Sequence, residues 1–251
     1  MGTSIVFANQ KGGVGKTTTA VNLGAYLAKM GNQVLLVDFD SQGNLSSSVG
    51  ADKSKQGIYE AMTGNAEIES IIQRTPLVNL SIVPSNINLT GAGVEFVNEE
   101  NREHFLEKTL AGIKSSWDYI FIDCPPSLGI LTLNGLTAAD EIIIPLQCEY
   151  YALEGLNLLL QTIQMVKQSL NPSLKVCGIL FTMYDSRTKL ANEVVHEVTG
   201  YFKDKVFRTV IPRNVKLSEA PSHGLPISEY DAECIGALSY EALAKEVMAR
   251  A

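Results

Sequence analysis

Residues 9 to 18 read Asn9-Gln10-Lys11-Gly12-Gly13-Val14-Gly15-Lys16-Thr17-Thr18, after an apolar run (Ser4–Ala8) and before a helical pattern (Lys16–Lys29). Few local patterns restrict a fold as strongly. Glycines let the backbone turn so tightly that successive N–H groups converge on one point, which suits an oxyanion. The positive end of the following helix adds to that attraction. The strand–loop–helix setting predicts a phosphate loop formed by Gly12, Gly13, Val14, Gly15, Lys16, Thr17 and Thr18. Lys16 is expected against the β- and γ-phosphates of a nucleotide, and the Thr17 hydroxyl on Mg2+. The usual spacing of such loops puts glycine where Gln10 stands, and here an additional lysine, Lys11, precedes the glycine pair.

The rest of the chain sustains this reading. Strand-like runs are expected at Ser4–Ala8, Val34–Asp38, Leu80–Pro84, Tyr119–Asp123, Glu141–Pro145, Val176–Thr182 and Val206–Ile211. Helical stretches lie between most of them, notably Lys16–Lys29, Glu103–Ser115, Ala152–Ser169 and Leu190–Phe202. Ile-, Val- and Phe-rich runs with little polar alternation read as strands covered on both faces. The alternation of strand and helix predicts an α/β fold, a doubly wound, mainly parallel sheet flanked by helices. In such a sheet ligands bind at the carboxyl ends of the strands. At 251 residues and 45% hydrophobic, the chain can bury a large core unaided by disulfides or metals. Without repeats or a long Pro/Gly/Ser linker, residues 1–251 are expected to form one domain.

Acidic side chains fall at those strand ends. Asp38 and Asp40 flank one in Leu35-Leu36-Val37-Asp38-Phe39-Asp40-Ser41-Gln42-Gly43-Asn44. Asp123 closes the run Asp118-Tyr119-Ile120-Phe121-Ile122-Asp123 and is followed by Cys124-Pro125-Pro126. An apolar strand ending in Asp is the Walker B arrangement, so Asp123 is expected to contact Mg2+ directly or through water.

The net charge of −7 argues against a protein basic all over, but the average hides an asymmetry. Residues 187–216 carry seven basic groups against three acids, a local +4 that leaves −11 for the remainder. The four cysteines (Cys124, Cys148, Cys177, Cys234) have no metal-site or redox spacing and read as idle thiols in a reducing compartment. His223 has no partner at catalytic spacing and reads as structural. No apolar stretch approaches the length of a membrane helix, and the first residues lack a signal peptide's basic region, so a cytoplasmic location is expected.

The segment Lys11-Gly12-Gly13-Val14-Gly15-Lys16-Thr17-Thr18 resembles the deviant Walker A motif of the ParA/MinD superfamily of P-loop NTPases. Two further stretches, Cys148-Glu149-Tyr150-Tyr151-Ala152-Leu153-Glu154-Gly155 and Ile211–Gly224, are closely similar to ParA/Soj partitioning proteins, and the resemblance covers essentially the whole chain. It implies an ATPase in which ATP and Mg2+ drive a face-to-face homodimer. Lys11 would reach the phosphates held by the other subunit, supplying charge as an arginine finger does. Asp40, in a match to the D-x-D-P-Q-G-N pattern with Ser41 replacing the proline, would activate the attacking water, and Asp38 would hold the metal's outer shell. Pro212 and Asn214 would contact the adenine. Arg187, Arg213 and Lys216 would bind double-stranded DNA without sequence preference once the dimer forms. The implied partner is a centromere-binding protein of the ParB/Spo0J type that stimulates hydrolysis, and the implied location is the nucleoid. The phosphate loop begins at residue 11, so no helix-turn-helix is expected before it.

Two other branches are weighed. A MinD-like membrane-cycling regulator needs a basic amphipathic tail. The stretch Ile235–Ala251 shows an apolar stripe (Tyr240, Leu243, Ala244, Val247), but its charges cancel, so it is read as core packing. An electron-transfer protein like the nitrogenase iron protein needs two cluster cysteines per subunit, and Cys124 and Cys148 lack that family's surrounding motifs.

Overall fold

A computed structural model describes residues 2–250. Met1 and Ala251, the ends of the expected domain and of the C-terminal stretch, lie outside the described residues. The apolar runs form a seven-stranded sheet in the order β3-β4-β2-β5-β1-β6-β7. The strands are β1 (Thr3–Phe7), β2 (Val34–Asp38), β3 (Gln73–Arg74), β4 (Leu80–Val83), β5 (Tyr119–Asp123), β6 (Glu141–Gln147) and β7 (Lys175–Thr182). Every pairing is parallel except that of β3 with β4.

Successive strand residues feed opposite faces, as a pleated backbone requires. Val6, Leu35, Val37, Ile120, Ile122, Ile142 and Ile144 point into one core. Ile5, Phe7, Val34, Leu36, Tyr119, Phe121 and Ile143 point into the other. Both faces are therefore apolar, and helices cover both: α1 (Lys16–Lys29), α2 (Asn44–Ser48), α3 (Phe105–Ala111), α4 (Ile130–Ala138), α5 (Ala152–Ser169), α6 (Lys189–Phe202), α7 (Val215–Glu219) and α8 (Ile235–Arg250). The stripe of α8 (Tyr240, Leu243, Ala244, Val247) is buried in the second core, where the Tyr240 hydroxyl lies 3.2 Å from Thr19 Oγ1 on α1. The one sequence feature that favoured a membrane-cycling tail is thus spent on packing. Among the described residues no helix is long and apolar enough to cross a membrane.

Two expected elements differ. Val206–Ile211 is not a strand; it touches the sheet edge through bridges at Val206 and, just beyond, Pro212. Phe207 N–H donates to Ile179 and Ile211 N–H to Phe181, but between them Arg208 and Thr209 turn their N–H groups to the Glu246 carboxylate on α8. A charged acceptor on a neighbouring helix interrupts the ladder. Arg250 reinforces this junction, donating to the Cys177 and Val206 carbonyls and lying 4.2 Å over the Phe207 ring. The helix expected at Glu103–Ser115 is broken into two short 3-10 turns flanking α3, with Gly112 closing α3.

Candidate nucleotide site

The carboxyl ends of the central strands open onto a cavity of about 690 Å3, a size that accommodates a nucleotide. Gly12, Gly13, Gly15, Lys16, Thr17 and Thr18 form one wall, and Asp40, Pro212, Arg213 and Asn214 lie on others.

The phosphate loop is held from outside. Asn9 Nδ2 donates to the Pro145 carbonyl at the end of β6 (2.8 Å), and its Oδ1 accepts the Lys11 N–H (3.0 Å). Thr182, the last residue of β7, donates its hydroxyl to the Val14 carbonyl (2.8 Å). Gly13 (φ 73°) and Gly15 (φ 87°) occupy the left-handed region, where a side chain would be strained. Val14 between them is buried and anchors the turn. Lys16 Nζ folds back to the Asn9 and Lys11 carbonyls, both at 3.1 Å. Burial pulls its pKa below the usual lysine value, and the charge of Asp123 opposes that. An ammonium so placed is already stripped of water before a phosphate arrives.

Thr17 Oγ1 donates to Asp123 Oδ2 (2.6 Å). Asp123 is almost wholly buried, and its Oδ1 has no hydrogen-bond partner. Burial, with the charge of Asp38 in register on the next strand, pushes the Asp123 carboxyl well above the ordinary carboxylate range. A buried carboxylate oxygen lacking a donor, next to a helix-start hydroxyl, fits a hard divalent cation. Thr17 and Asp123 would hold Mg2+. Among the described residues no group of three or more His, Cys, Asp or Glu could hold an ion without the nucleotide.

Asp38 does not line the cavity. It is fully buried, accepting from Ser46 N–H (2.7 Å), Ser46 Oγ (2.6 Å) and the Asp40 N–H (3.3 Å), and burial lifts its pKa to about 6. Its visible work is to fasten the loop that carries Asp40 to the start of α2. Asp40, on the cavity wall, accepts the Gln42 N–H (3.0 Å) and takes the Gly43 N–H on its carbonyl. Lys11 also lies away from the cavity wall and forms an ion pair with Glu149 of its own chain.

Beyond β7, the chain crosses the sheet edge through main-chain bonds. Tyr184 N–H donates to Ile211 (3.1 Å) and Arg213 N–H to Tyr184 (3.2 Å). This ladder places Pro212 and Asn214 on the cavity wall, and Asn214 Oδ1 caps α7 by accepting the Lys216 N–H (2.9 Å). Of the basic residues singled out, Arg213 lines the cavity, whereas Arg187 and Lys216 lie outside it. Arg187 chelates Asp185, and Lys216 pairs with Glu219 (3.1 Å) while lying over the Tyr230 ring. Four residues that shape the site were missed from sequence: Thr182, Ser46, Glu149 and Asp185. Thr182, a polar residue ending a buried strand, and Glu149, inside the stretch Cys148–Gly155, carried some signal.

A family model described as AAA domain matches residues 2–176. The chromosome-partitioning ATPase Soj of Treponema pallidum is 63% identical over 250 residues, covering 100% of this chain and 98% of its own length. The sporulation initiation inhibitor protein Soj of Bacillus subtilis is 54% identical, covering 99% of each. Among solved structures, cobyrinic acid a,c-diamide synthase from Mycobacterium smegmatis with bound ATP analog and magnesium superposes with a TM-score of 0.88 at 39% identity, covering 99% of this chain and 94% of that one. A phosphate loop with its extra lysine, a cavity lined by that loop and by Asp40, and similarity along the full chain agree: this chain belongs to the ParA/Soj family of chromosome-partitioning ATPases.

Proposed function

We propose that residues 1–251 form one ATPase domain that acts as a DNA-partitioning switch in the cytoplasm, on the nucleoid. ATP enters the cavity with its phosphates on the loop of residues 12–18 and its adenine beside Pro212 and Asn214. Mg2+, held by Thr17 and Asp123, offsets phosphate charge when bound. Lys16 receives the charge of the β- and γ-phosphates, and Asp40 orients the attacking water. Two subunits then close face to face, so that Lys11 of each reaches the phosphates of the other. A cation supplied in trans is worth about 10³–10⁵ in rate where it has been measured in phosphoryl transfer. The closed dimer holds DNA of any sequence, and a ParB-type partner stimulates hydrolysis and release.

The observation that carries this reading is the contrast between the two lysines. Lys16 is buried on the cavity wall, whereas Lys11, five residues earlier on the same loop, is half-exposed, off that wall and paired with Glu149. One lysine serves the phosphates of its own chain, and the other is presented outward. The test is binding of Asp40→Ala to arbitrary double-stranded DNA, with ATP and with ADP, across a salt series. Tight, salt-sensitive binding with ATP alone supports the switch. Equal binding with both nucleotides, or none, overturns it.

A further inference from the structure

The window with the local +4 ends just inside two acids. Extended from 187–216 to 185–219, it holds seven basic groups against five acids, and the excess halves to +2. The structure shows that the two added acids are not bystanders. Asp185 Oδ1 accepts from Arg187 Nε (2.9 Å) and Oδ2 from Arg187 Nη2 (2.7 Å), a two-pronged grip that occupies one of the two edges a phosphate could use. Glu219 takes Lys216 at 3.1 Å and also accepts the Tyr230 hydroxyl at 3.0 Å. Hydrogen bonds from Arg187 hold the Asp185 carboxyl down at about 2, so it stays charged wherever the protein is folded and active.

Resting on the DNA reading above, we infer that Asp185 and Glu219 are built-in competitors of the DNA phosphates: each partly neutralises a cation of the binding face and takes donors that a phosphate would otherwise use. Both pairs are solvent-exposed, so each is individually weak and exchangeable. A single subunit meets DNA with Arg187 and Lys216 already paired. Two subunits side by side add their phosphate contacts, and affinity climbs steeply as more phosphates are neutralised. The acids thereby raise the threshold at which binding begins and sharpen the difference between monomer and dimer.

Asp185 also accepts the Arg187 N–H (3.0 Å), a turn that an asparagine side-chain oxygen can keep. Asp185→Asn therefore removes the charge with the loop geometry preserved. With a hydrolysis-resistant ATP analogue and duplex DNA of arbitrary sequence, fluorescence anisotropy should show binding roughly three- to tenfold tighter than the parent. The log–log salt dependence should steepen by about one unit per subunit. Glu219→Gln should act in the same direction, and Arg187→Ala added to Asp185→Asn should erase the gain. Unchanged or weaker binding by Asp185→Asn, or a gain that survives loss of Arg187, overturns the inference while leaving the DNA reading intact. A parent protein that fails to bind DNA with the analogue overturns both.

Discussion

The Thr17 hydroxyl donates to Asp123 Oδ2 at 2.6 Å, which ties the first turn of α1 to the end of β5 and leaves Asp123 Oδ1 buried without a partner. A carboxylate in that position is costly until a cation joins it. Asp123→Asn should not destabilise the nucleotide-free protein, because it removes a buried acid that the neighbouring Asp38 charge repels. The same variant should lose most of the additional thermal stabilisation that Mg2+ gives in the presence of ATP. Thermal unfolding with ATP, with and without Mg2+, reads both effects. A destabilised apo-protein with an intact Mg2+ response would contradict this account of the site.

Gly12 is exposed, and a Cβ built there would meet only Pro126, at 3.6 and 3.9 Å. Those are ordinary contacts, and the backbone at Gly12 is not left-handed, unlike Gly13 and Gly15. Gly12→Val should therefore fold and bind ATP within a few-fold of the parent yet fail to dimerise. Sedimentation with a hydrolysis-resistant ATP analogue distinguishes the outcomes. A dimer of normal affinity removes the glycine pair from the interface.

If Lys11 acts across the interface, two inactive variants should rescue one another. Lys11→Ala lacks the outward cation, and Asp40→Ala lacks the water-orienting carboxylate. In a mixed dimer, the Lys11→Ala subunit keeps its own Asp40 and receives Lys11 from its partner. Mixing the two should restore a clear part of the ATPase rate, in amounts that follow random pairing. Absence of rescue at concentrations where mixed dimers form would return Lys11 to its own site.

Arg187→Ala and Lys216→Ala should each weaken DNA binding equally for all sequences. Each should flatten the log–log salt slope by about 0.9 for every phosphate that is no longer neutralised. Titration of two unrelated duplexes at four salt concentrations suffices. Sequence-dependent weakening would mean that these side chains reach the bases.

The parts legible in the sequence were contiguous ones. Lys11 to Thr18 lie within one loop, and the geometry of such a loop follows from local backbone needs. Strands β2 and β5 were legible for a related reason: with helices on both faces, Val34–Asp38 and Tyr119–Asp123 are apolar up to their closing aspartates. The failures involve distant partners. Nothing near Arg208 reveals that Glu246, on another helix, will take its N–H and interrupt the ladder expected through Val206–Ile211. Gln73–Arg74 is too short and polar for any apolar pattern, yet it pairs antiparallel with β4. Glu149 stands 138 residues from Lys11. Charge counts misled in another way: a window drawn around basic residues stops where the acids begin.

The rungs joining Tyr184 to Ile211 and Arg213 are made by peptide groups alone. Side chains on either loop can drift, altering which base fits beside Pro212 or how firmly Arg187 grips a backbone, and the rungs survive as long as proline does not replace Tyr184 or Arg213. The pocket at Pro212 and the outer loop at Arg187 are therefore joined by a main-chain link that does not depend on the side chains of either.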